Sequence, residues 1–508
     1  MVTIESLLER GYFPKEIVPA FNTRNLSTIL DDFDFSNHQP KTSKCLIHSL
    51  PKTKDIRRNL SIPNPKHQIL LSKAIADNWI KIYSFTSQSR ISKSSISVEL
   101  DNPYNRAAYP GNNFNIKLER AIQASGFSHC LYSDISRYYS TIYTHSIPWA
   151  IHTKQLAKAN YSDNLYGNLL DKCIRNTQDG QTLGIPIGTD TSYIISEVIG
   201  SAIDSLLYDN LGDKLQGFRY IDDYYLYFGS RSEAESTSRK LHHILKEFEL
   251  EPNASKMLIM DLPEPIEDEW YSDLHSFNIG RYSRNQRDEL LIYFSKTFQH
   301  YKNFSSQSII KYAVSKIKKL SVFKENWELY QSLLLQSLVA DSGIISIIYE
   351  IFSLYRTRGL QLNINKIHSS INKFLVYQAE LSHGYEVSWA LWLCKNFEIQ
   401  ISEEAINKVL NVEDSIVGII AFDLIKNSSL ISSNVNLDRW ERLMDSSELY
   451  SRNWLFAYEA NFQGWSSSMP DYVASDDFFS ILKSNNVNFY NPGEDNSPSS
   501  EGEFFMGY

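Results

Sequence analysis

Two adjacent aspartates, Asp222 and Asp223, lie within the aromatic and apolar segment Gly217–Phe228. The flanking pattern predicts two short strands, a β-hairpin that lacks a glycine at its turn. Burying two neighbouring carboxylates without a cation is costly. Two divalent metal ions would offset that cost and would bridge an attacking 3′-oxygen and a triphosphate for in-line displacement. The alternative is an Asp-Asp turn that lies in solvent and has no chemical role.

A further carboxylate, Asp134, follows a short strand pattern at His129–Ser133 and precedes a predicted helix. A carboxylate at the end of a strand is well placed to face a site rather than the core. Taken alone, Asp134 is best explained as a helix N-cap. Beside Asp222 and Asp223, it is better explained as a third carboxylate of a metal pair.

Glycines flank a proline in Gly184-Ile-Pro-Ile-Gly188, just before a predicted helix that runs to about Tyr208. Such a loop lets the backbone approach a ligand closely. The alternative is an ordinary turn that leads into a helix.

In chain order, Asp134, Gly184–Gly188, Tyr220-Ile-Asp-Asp223 and Asn253-Ala-Ser-Lys256 resemble the palm motifs A to D of reverse transcriptases. The resemblance covers roughly residues 50–290. It implies an α+β right-hand polymerase fold with fingers and palm, and nucleotidyl transfer by a two-metal mechanism. The implied cofactor is Mg²⁺, with Mn²⁺ as an alternative.

The resemblance also implies catalytic roles for individual residues. Asp134, Asp222 and Asp223 would be the catalytic metal ligands, and the backbone carbonyl of Ile135 would complete a metal shell. Lys256 would be a catalytic residue that protonates the leaving pyrophosphate. The alternative for Lys256 is an exposed lysine at a strand edge.

Nucleotide-binding roles follow from the same resemblance. Tyr139 matches the aromatic steric gate, whose ring would exclude a 2′-hydroxyl and favour deoxynucleotides. Pro186, Ile187 and Gly188 would form the loop beside the incoming nucleotide. Reverse transcriptases usually have Gln at the position of Ile187, where it orders the nucleotide and its sugar. An apolar residue there argues against ordinary templated selection.

Arginines before the palm are candidates to grip phosphates or template. The segment Asp55–Pro65 resembles the fingers motif that precedes the palm and contains Arg57 and Arg58. Arg106 lies in a polar loop, Asn102–Pro110, and is the first candidate of the three. The alternative for each arginine is an ordinary surface position.

Composition limits the class of protein. The 508 residues carry 50 Lys and Arg against 59 Asp and Glu, a net charge of −9. That balance argues against a chain coated along its length by duplex nucleic acid but leaves room for a local basic channel. The four cysteines form no C-x-x-C pair, so we expect no zinc site and no disulfide framework. Without a signal-peptide core or a long apolar run, we expect a cytoplasmic protein with no membrane span.

The sequence pattern changes after about Arg284, from mixed strand and helix signals to helix signals alone. From there to about residue 486, apolar residues recur at helical spacing, with breaks at Gly343, Gly359 and Gly384. Consecutive helices with short links predict stacked helical pairs, an α-solenoid-like or bundle domain. The predicted helices are 286–301, 307–320, 325–339, 343–356, 363–381, 384–397, 402–410, 413–426, 436–446 and 452–463.

We therefore divide the chain into four parts. They are an N-terminal segment with fingers (1–115), a palm with motifs A to E (116–285), an all-α helical-repeat domain (286–486) and a polar tail (487–508). The tail is rich in Asn, Ser, Pro and Gly, and we expect it to be disordered or to lie on the surface.

The segment Tyr139–Trp149 is typical of bacterial reverse transcriptases outside retroviruses, and no basic thumb is evident after motif D. With a long helical domain following the palm, the architecture resembles the abortive-infection (Abi) reverse transcriptases of bacteria, the AbiK-like group that includes members carried by P2-like prophages. This resemblance implies a HEAT-like helical half, homo-oligomers, and template-independent DNA synthesis from dNTPs in phage defence. The single-stranded DNA product would start on a tyrosine hydroxyl of the protein, and Tyr12 is one candidate, with simple packing as its alternative.

Two alternatives stay open. One is a templated, RNA-directed DNA polymerase that needs a structured RNA partner, for which a basic thumb would be the distinguishing feature. The other is a non-catalytic scaffold, against which the three intact aspartates argue.

Overall fold

The structure is a computed structural model, and it describes residues 1–53, 56–98, 105–111, 114–280, 285–305, 307–431, 435–466 and 471–493. Asp55, Asn102, the predicted boundary at Arg284 and the end of the predicted tail, 494–508, lie outside these ranges. Among the described helices, none has both the length and the apolar character needed to cross a membrane.

The first part of the chain is mixed α and β. Its strands are β1 (Leu46–Thr53), β2 (Ile56–Ile62), β3 (Ile96–Ser97), β4 (Tyr109–Pro110), β5 (His129–Asp134), β6 (Gly217–Tyr220), β7 (Asp223–Phe228) and β8 (Leu258–Asp261). Its helices are α1 (Ile4–Glu9), α2 (Pro65–Asp77), α3 (Trp79–Thr86), α4 (Ile116–Gln123), α5 (Tyr138–Thr141), α6 (Ser146–His152), α7 (Lys154–Ala159), α8 (Tyr166–Thr177), α9 (Asp190–Leu211), α10 (Arg231–Glu247) and α11 (Glu269–Ser276).

A four-stranded antiparallel sheet, in the order β6-β7-β5-β8, is the centre of this part. Side chains alternate between the two faces of a strand. Leu131, Tyr224 and Leu226 therefore share one face, which is buried in the same core as α9 and α10. Asp134 and Asp223 lie on the opposite face. The sheet thus keeps its carboxylates away from the helix-covered core.

Strands β1 and β2 form a separate antiparallel hairpin, which we call the fingers hairpin. Its register pairs Leu50 with Arg58 and Pro51 with Arg57, so the two arginines point to opposite faces of the hairpin.

The second part of the chain is entirely helical in its described residues. Its helices are α12 (Gln286–Asn303), α13 (Ile309–Lys316), α14 (Trp327–Ala340), α15 (Ile345–Thr357), α16 (Ile364–Glu380), α17 (Gly384–Phe397), α18 (Glu403–Val409), α19 (Ser415–Asn427), α20 (Asp438–Glu441), α21 (Trp454–Phe462) and α22 (Phe479–Ser484). Short 3₁₀ turns interrupt the chain at Leu26–Ile29, Gly212–Lys214, Lys324–Asn326, Ser342–Ile344 and Ser446–Tyr450.

Each of the ten helices predicted from the sequence has a counterpart here, although the predicted helix 436–446 is only the short α20. Helices α12, α14, α16 and α18 pack in succession, and α15, α17, α19 and α21 pack in succession beside them. These two rows confirm the predicted stacking of helical pairs. We call this part the helical half.

The buried core does not follow the predicted boundary at residue 115. The N-terminal residues Leu8, Phe13 and Phe21 belong to the same hydrophobic cluster as the helical half. The ends of the fingers hairpin, Leu46 and Ile62, belong to that cluster too. Part of the N-terminal segment therefore shares a core with the helical half. Other residues of that segment, such as Val2, Leu7 and Leu71, share a second core with the sheet and α9.

The predicted polar tail is wrong for its first residues. Val487, Phe489 and Tyr490 are each at most 1% exposed. Phe489 and Tyr490 bind the N-terminal segment, since the amide of Asn22 donates to the Phe489 carbonyl and Phe21 forms a β-bridge with Tyr490. The apolar residues among the Asn and Ser of this stretch pack into the core, and the composition of the tail as a whole did not predict that packing.

Candidate active site

The sheet register brings the predicted carboxylates together. Asp134 ends β5, and its Cα is paired with that of Asp223 at the start of β7. Tyr220 and Asp223 form the last pair of the β6–β7 hairpin, so Ile221 and Asp222 are its two-residue turn. The amide of Ile135 donates to the Asp222 carbonyl over 3.2 Å. The hairpin predicted from the sequence is confirmed, and its turn lies against the end of β5.

The turn contains a strained residue instead of a glycine. Ile221 has a φ of +58°, in the left-handed region that β-branched residues rarely adopt. Such a conformation costs about 1–3 kcal/mol and persists only where the surroundings hold it. Here the Ile221 amide donates to Ser94 Oγ over 2.8 Å, and its carbonyl accepts from Arg219 Nη1 over 2.9 Å.

Arg219 is the centre of a buried ionic network beneath this turn. Its guanidinium pairs with Glu197 and with Asp204, each at 2.9 Å, and all three side chains are at most 1% exposed. Gly200 on α9 makes room for it, because a Cβ at that position would lie 2.7 Å from the guanidinium carbon. The network holds the turn that presents Asp222 and Asp223, and nothing in the local sequence pattern indicated it.

Two of the carboxylates, Asp222 and Asp223, are disfavoured in their charged form. Burial, together with the charges of Asp223 and Asp134, raises the pKa of Asp222 to about 7. Burial also raises the pKa of Asp223, although a hydrogen bond from Tyr132 and the charges of Lys256 and Lys52 oppose that rise. A site that disfavours its own negative charge in this way is one that a cation would stabilise.

Three side chains hold the carboxylates in place. Lys256 Nζ is 2.7 Å from Asp134 Oδ2, and Asn253 Nδ2 donates to the same oxygen over 3.1 Å. The Tyr132 hydroxyl donates to Asp223 Oδ1 over 2.7 Å. Sequence reasoning missed Tyr132, although strand alternation places it on the same face as Asp134, two residues away.

Lys256 therefore lies in the site, as the resemblance predicted. Burial lowers the pKa of Lys256, but the hydrogen bond and the charge of Asp134 outweigh it and leave the pKa raised. The lysine is a cation at neutral pH that neutralises part of the aspartate charge. Its role as a proton donor to pyrophosphate stays a prediction.

The three carboxylates fit a divalent cation by chemistry. Mg²⁺ prefers carboxylate and carbonyl oxygens, and Asp134, Asp222 and Asp223 supply carboxylates at one end of the paired strands. In the described ranges no three His, Cys, Asp or Glu side chains already have the arrangement of a metal site. Lys256 and Tyr132 each contact a carboxylate oxygen of this cluster, on Asp134 and on Asp223 respectively. The carbonyl of Ile135 stays a predicted ligand.

Tyr139 contacts α9. Its hydroxyl is 3.1 Å from Ser196 Oγ, and its backbone carbonyl accepts from the Ile185 amide over 2.9 Å. Burial raises the pKa of Tyr139, with the charge of Asp222 adding to the rise and that of Arg58 opposing it. The charges of Asp222 and of Arg58, on the fingers hairpin, thus both affect the predicted gate residue.

The loop Gly184–Gly188 joins the fingers hairpin to the site. The Ile187 carbonyl accepts from the Ser61 amide of β2 over 2.9 Å, and Pro186 is buried. Gly188 has a φ of +114°, and a Cβ there would lie 2.6 Å from Pro14. Only glycine fits that position, so the loop conformation is built into the sequence.

The prediction that Arg106 grips phosphate is corrected by its contacts. Its Nε donates to Asp190 over 2.6 Å, and its two Nη groups donate to the carbonyls of Phe13 (2.6 Å) and Gly188 (2.8 Å). The side chain is 13% exposed. The guanidinium therefore fixes the conformation of the Gly188 loop from behind.

Arg57 is likewise committed to protein, through a two-pronged ion pair with Glu386 of α17. Arg58, on the other face of the hairpin, is exposed, and its positive charge opposes the rise in the pKa of Tyr139. Lys52, two residues beyond the Arg58 partner Leu50, is also exposed, and its charge acts on Asp223. No local sequence pattern indicated this effect of Lys52 on Asp223.

Tyr12, a candidate priming residue, is unsuitable in this structure. It is 0% exposed, and its hydroxyl donates to the carbonyl of Pro63. The packing alternative for Tyr12 is confirmed.

The raised pKa of Asp222 predicts a metal-dependent effect of pH on stability. A carboxyl with an ordinary pKa of 3.8 when unfolded and about 7 when folded binds its proton more tightly in the native state. The stability that this protonation contributes is fully present below pH 4 and is lost as pH rises through 7. In chelator-treated protein we expect the Tm of wild type to fall over this range relative to Asp222→Asn.

Added Mg²⁺ should restore the wild-type Tm at pH 7 to 8 and leave that of Asp222→Asn much less changed, because bound cation replaces the proton. Differential scanning fluorimetry of both proteins checks this. Parallel pH profiles without metal, or an equal Mg²⁺ shift in both proteins, would show that Asp222 is not the titrating group.

Comparisons with known proteins add little. No protein-family model matches the chain, and no curated protein matches it. Among solved structures, the chain is similar to telomerase from Candida albicans in complex with the TWJ fragment of telomeric RNA, at 12% identity over 64% of this chain and a TM-score of 0.31. It is also similar to apo telomerase from Candida tropicalis, at 9% identity over 77% of this chain and 67% of that one, with a TM-score of 0.32. The chain spans 64% of the length of the Candida albicans chain, and likenesses at such low TM-scores carry no argument about activity.

Proposed function

We propose that the chain is a metal-dependent nucleotidyltransferase of the reverse-transcriptase type, which forms DNA from dNTPs at Asp134, Asp222 and Asp223. The observation that carries this proposal is the meeting of Asp134 and Asp223, paired across two strands, with Asp222 in the adjoining turn. Burial and the neighbouring carboxylates raise the pKa of Asp222 and of Asp223. A scaffold protein gains nothing from such a costly cluster, so the site favours catalysis over the non-catalytic alternative.

The residues of the chain divide the work of the reaction. Bound Mg²⁺ would activate the attacking hydroxyl and stabilise the charge on the pyrophosphate. Asp134, Asp222 and Asp223 would hold it. Tyr132 and Asn253 orient two of these carboxylates through their hydrogen bonds.

Substrate contacts come from the residues around this cluster. Lys52 and Arg58 place positive charge on the side of the fingers hairpin, where a triphosphate needs it. The ring of Tyr139 would limit the room for a 2′-hydroxyl. Lys256 is a cation beside Asp134 and would give its proton to the leaving group.

We propose further that synthesis needs no template and starts on a tyrosine of the protein, in an oligomer that acts in phage defence. This finer proposal rests on the resemblance to the abortive-infection group. Ile187 supports it, since an apolar side chain cannot make the hydrogen bonds of the usual Gln. The acidic net charge of −9 also fits poorly with a protein that holds long duplexes.

The test uses purified full-length protein with Mg²⁺ and labelled dNTPs, with and without an RNA template annealed to a DNA primer. Products are resolved on a denaturing gel before and after proteinase. Label that migrates with the protein without added nucleic acid, and shifts after proteolysis, supports self-primed, untemplated synthesis. Label that appears only with template and primer would move the chain to the RNA-directed class.

Replacing Tyr139 tests the proposed substrate choice. Tyr139→Ala should raise the relative kcat/KM for ribonucleotides by roughly tenfold to a hundredfold, because the ring no longer fills the space beside the sugar. Tyr143→Ala, which removes a half-buried ring four residues further along, is the matched control and should leave the ratio unchanged. An unaltered dNTP preference in Tyr139→Ala would reject the gate assignment.

A further inference from the structure

The fingers hairpin is attached to the helical half by a buried ion pair. Arg57 donates from Nη1 to Glu386 Oε1 over 2.8 Å and from Nη2 to Glu386 Oε2 over 2.7 Å. The Glu386 side chain is 0% exposed, and Ser342 Oγ also donates to it over 2.9 Å. Arg57 additionally binds the Ser49 side chain across the hairpin over 2.6 Å. This geometry fixes the direction of the arginine and, with it, the strand that carries it.

A second attachment lies on the other strand of the hairpin. His48 Nδ1 of β1 is 2.7 Å from Asp414 Oδ2, and the His48 side chain is fully buried. The other oxygen of Asp414 caps α19 by accepting from the Ile416 amide over 2.9 Å. The same carboxylate thus joins the start of a core helix to the middle of β1.

The base of the hairpin is held as well. Asn64 Nδ2 donates to the Leu449 carbonyl over 2.8 Å, and the Lys44 amide donates to the Tyr450 carbonyl over 3.0 Å. Contacts from the helical half therefore reach both strands and the base.

The charges that act on the active site come from the same hairpin. Arg58 directly follows Arg57 and points to the opposite face, so fixing Arg57 also fixes the direction of Arg58. Lys52 comes four residues after His48. The hairpin also contacts the loop beside the site, because the Ser61 amide of β2 donates to the Ile187 carbonyl over 2.9 Å. The charge of Arg58 opposes the raised pKa of Tyr139, and the charge of Lys52 opposes that of Asp223.

We propose that the helical half is a clamp for the fingers hairpin, and that Arg57, Glu386, His48 and Asp414 are positioning residues for Lys52 and Arg58. The clamp holds the two cations where the triphosphate of an incoming nucleotide enters. The inference rests on the proposed function for its substrate, but the clamp itself is a property of the fold.

The kinetic test is a double-mutant cycle on dNTP incorporation by the full-length protein. Glu386→Gln should raise the KM for dNTP by about tenfold while kcat changes by less than about threefold, because a displaced hairpin loses ground-state contacts with the triphosphate. In a Lys52→Ala/Arg58→Ala background, the same substitution should raise KM no further. Independent, additive effects in the cycle would overturn the proposal, since a merely structural role predicts them.

A matched control separates the clamp from general loss of stability. Asp423 makes a buried ion pair with Lys395 inside the helical half, at 2.6 Å, and does not contact the hairpin in the described contacts. Asp423→Asn should lower Tm and leave the KM for dNTP unchanged. Arg57→Lys, which keeps the charge but loses the two-pronged pairing, is the second variant should Glu386→Gln fail to fold.

Hydrogen–deuterium exchange provides a readout that does not depend on activity. The amides of 46–62 should exchange at least about tenfold faster in Glu386→Gln or Arg57→Lys than in wild type and Asp423→Asn. Unchanged exchange in these amides would overturn the clamp, whatever the kinetics. If wild type incorporates no nucleotide at all, the proposed function fails, and the exchange result still decides whether the helical half holds the hairpin.

Discussion

Replacing Asp222 and Asp223 together with alanine should abolish nucleotide incorporation, lowering it by at least about 10³-fold. Asp222 lies in the hairpin turn, and Asp223 is the first residue of β7. Without these two carboxylates, Asp134 alone cannot hold a metal pair. The rate of labelled dNTP incorporation measures the effect. Protection against phage, scored by plaque counts in cells that express the chain, should be lost in parallel.

The fold should survive this double substitution and gain stability. Wild type buries Asp222 beside two like charges, and that repulsion raises its pKa to about 7. Removing it should hold or raise the metal-free Tm, as is common when an active site is traded for stability. Asp261→Ala, on β8 of the same sheet but 75% exposed at its side chain, is the control that should keep full activity. Phage protection that persists in the double variant would refute the enzymatic account of defence.

The second large effect concerns the support of the catalytic turn. Arg219→Ala should lower the free energy of unfolding by about 3–5 kcal/mol, because Glu197 and Asp204 are left as buried charges without a partner. Activity should also fall where the protein is still folded, since Ile221 loses the donor to its carbonyl. Denaturant unfolding and incorporation assays measure the two effects. Arg231→Ala, which breaks an exposed helical pair with Glu235, is the matched control and should change stability little.

Gly200 tests the same network from the helix side. Gly200→Ala places a methyl group 2.7 Å from the Arg219 guanidinium and should cost about 1–3 kcal/mol as overpacking. In the Arg219→Ala background, that cost should disappear because the obstacle is gone. A loss of less than 1 kcal/mol in Arg219→Ala, or additive costs in the pair, would contradict the role given to this network.

Local patterns predicted the elements that carry the three aspartates well. Aromatic and apolar residues around Asp222 and Asp223 predicted a hairpin, and a strand ending at Asp134 predicted its place at the sheet end. Both are confirmed by the register of β5, β6 and β7. The helical half was equally readable, because amphipathic periodicity needs only a window of neighbouring residues.

Contacts between distant parts of the chain were not readable. Arg57 contacts Glu386, which is 329 residues away in the sequence, and His48 contacts Asp414, which is 366 residues away. A single sequence carries no local signal for such pairs, so Arg57 was assigned to phosphate and the role of Lys52 was missed. The predicted role of Arg106 in phosphate binding was wrong for the same reason, since its acceptors include carbonyls that only the fold brings together.

Tyr132 is a different kind of omission. It lies two residues before Asp134 in a predicted strand, so alternation alone placed its ring on the same face as Asp134. Tyr132 is not a motif residue, but strand alternation was sufficient to identify it as a partner of the aspartates. The buried residues Val487, Phe489 and Tyr490 were missed in a similar way, because the polar composition of the whole tail outweighed these three residues.

The most direct test of nucleotidyl transfer at the three aspartates measures the release of pyrophosphate. Purified wild type, freed of nucleic acid and supplied with Mg²⁺ and dNTPs, is assayed for pyrophosphate release alongside label incorporation, with the Asp222→Ala/Asp223→Ala variant in parallel. The account predicts release in step with incorporation in wild type and neither in the variant, each dependent on the divalent cation. No release from wild type, with Mg²⁺ or Mn²⁺ and with or without an RNA template and DNA primer, would contradict a nucleotidyl-transfer role for the three aspartates.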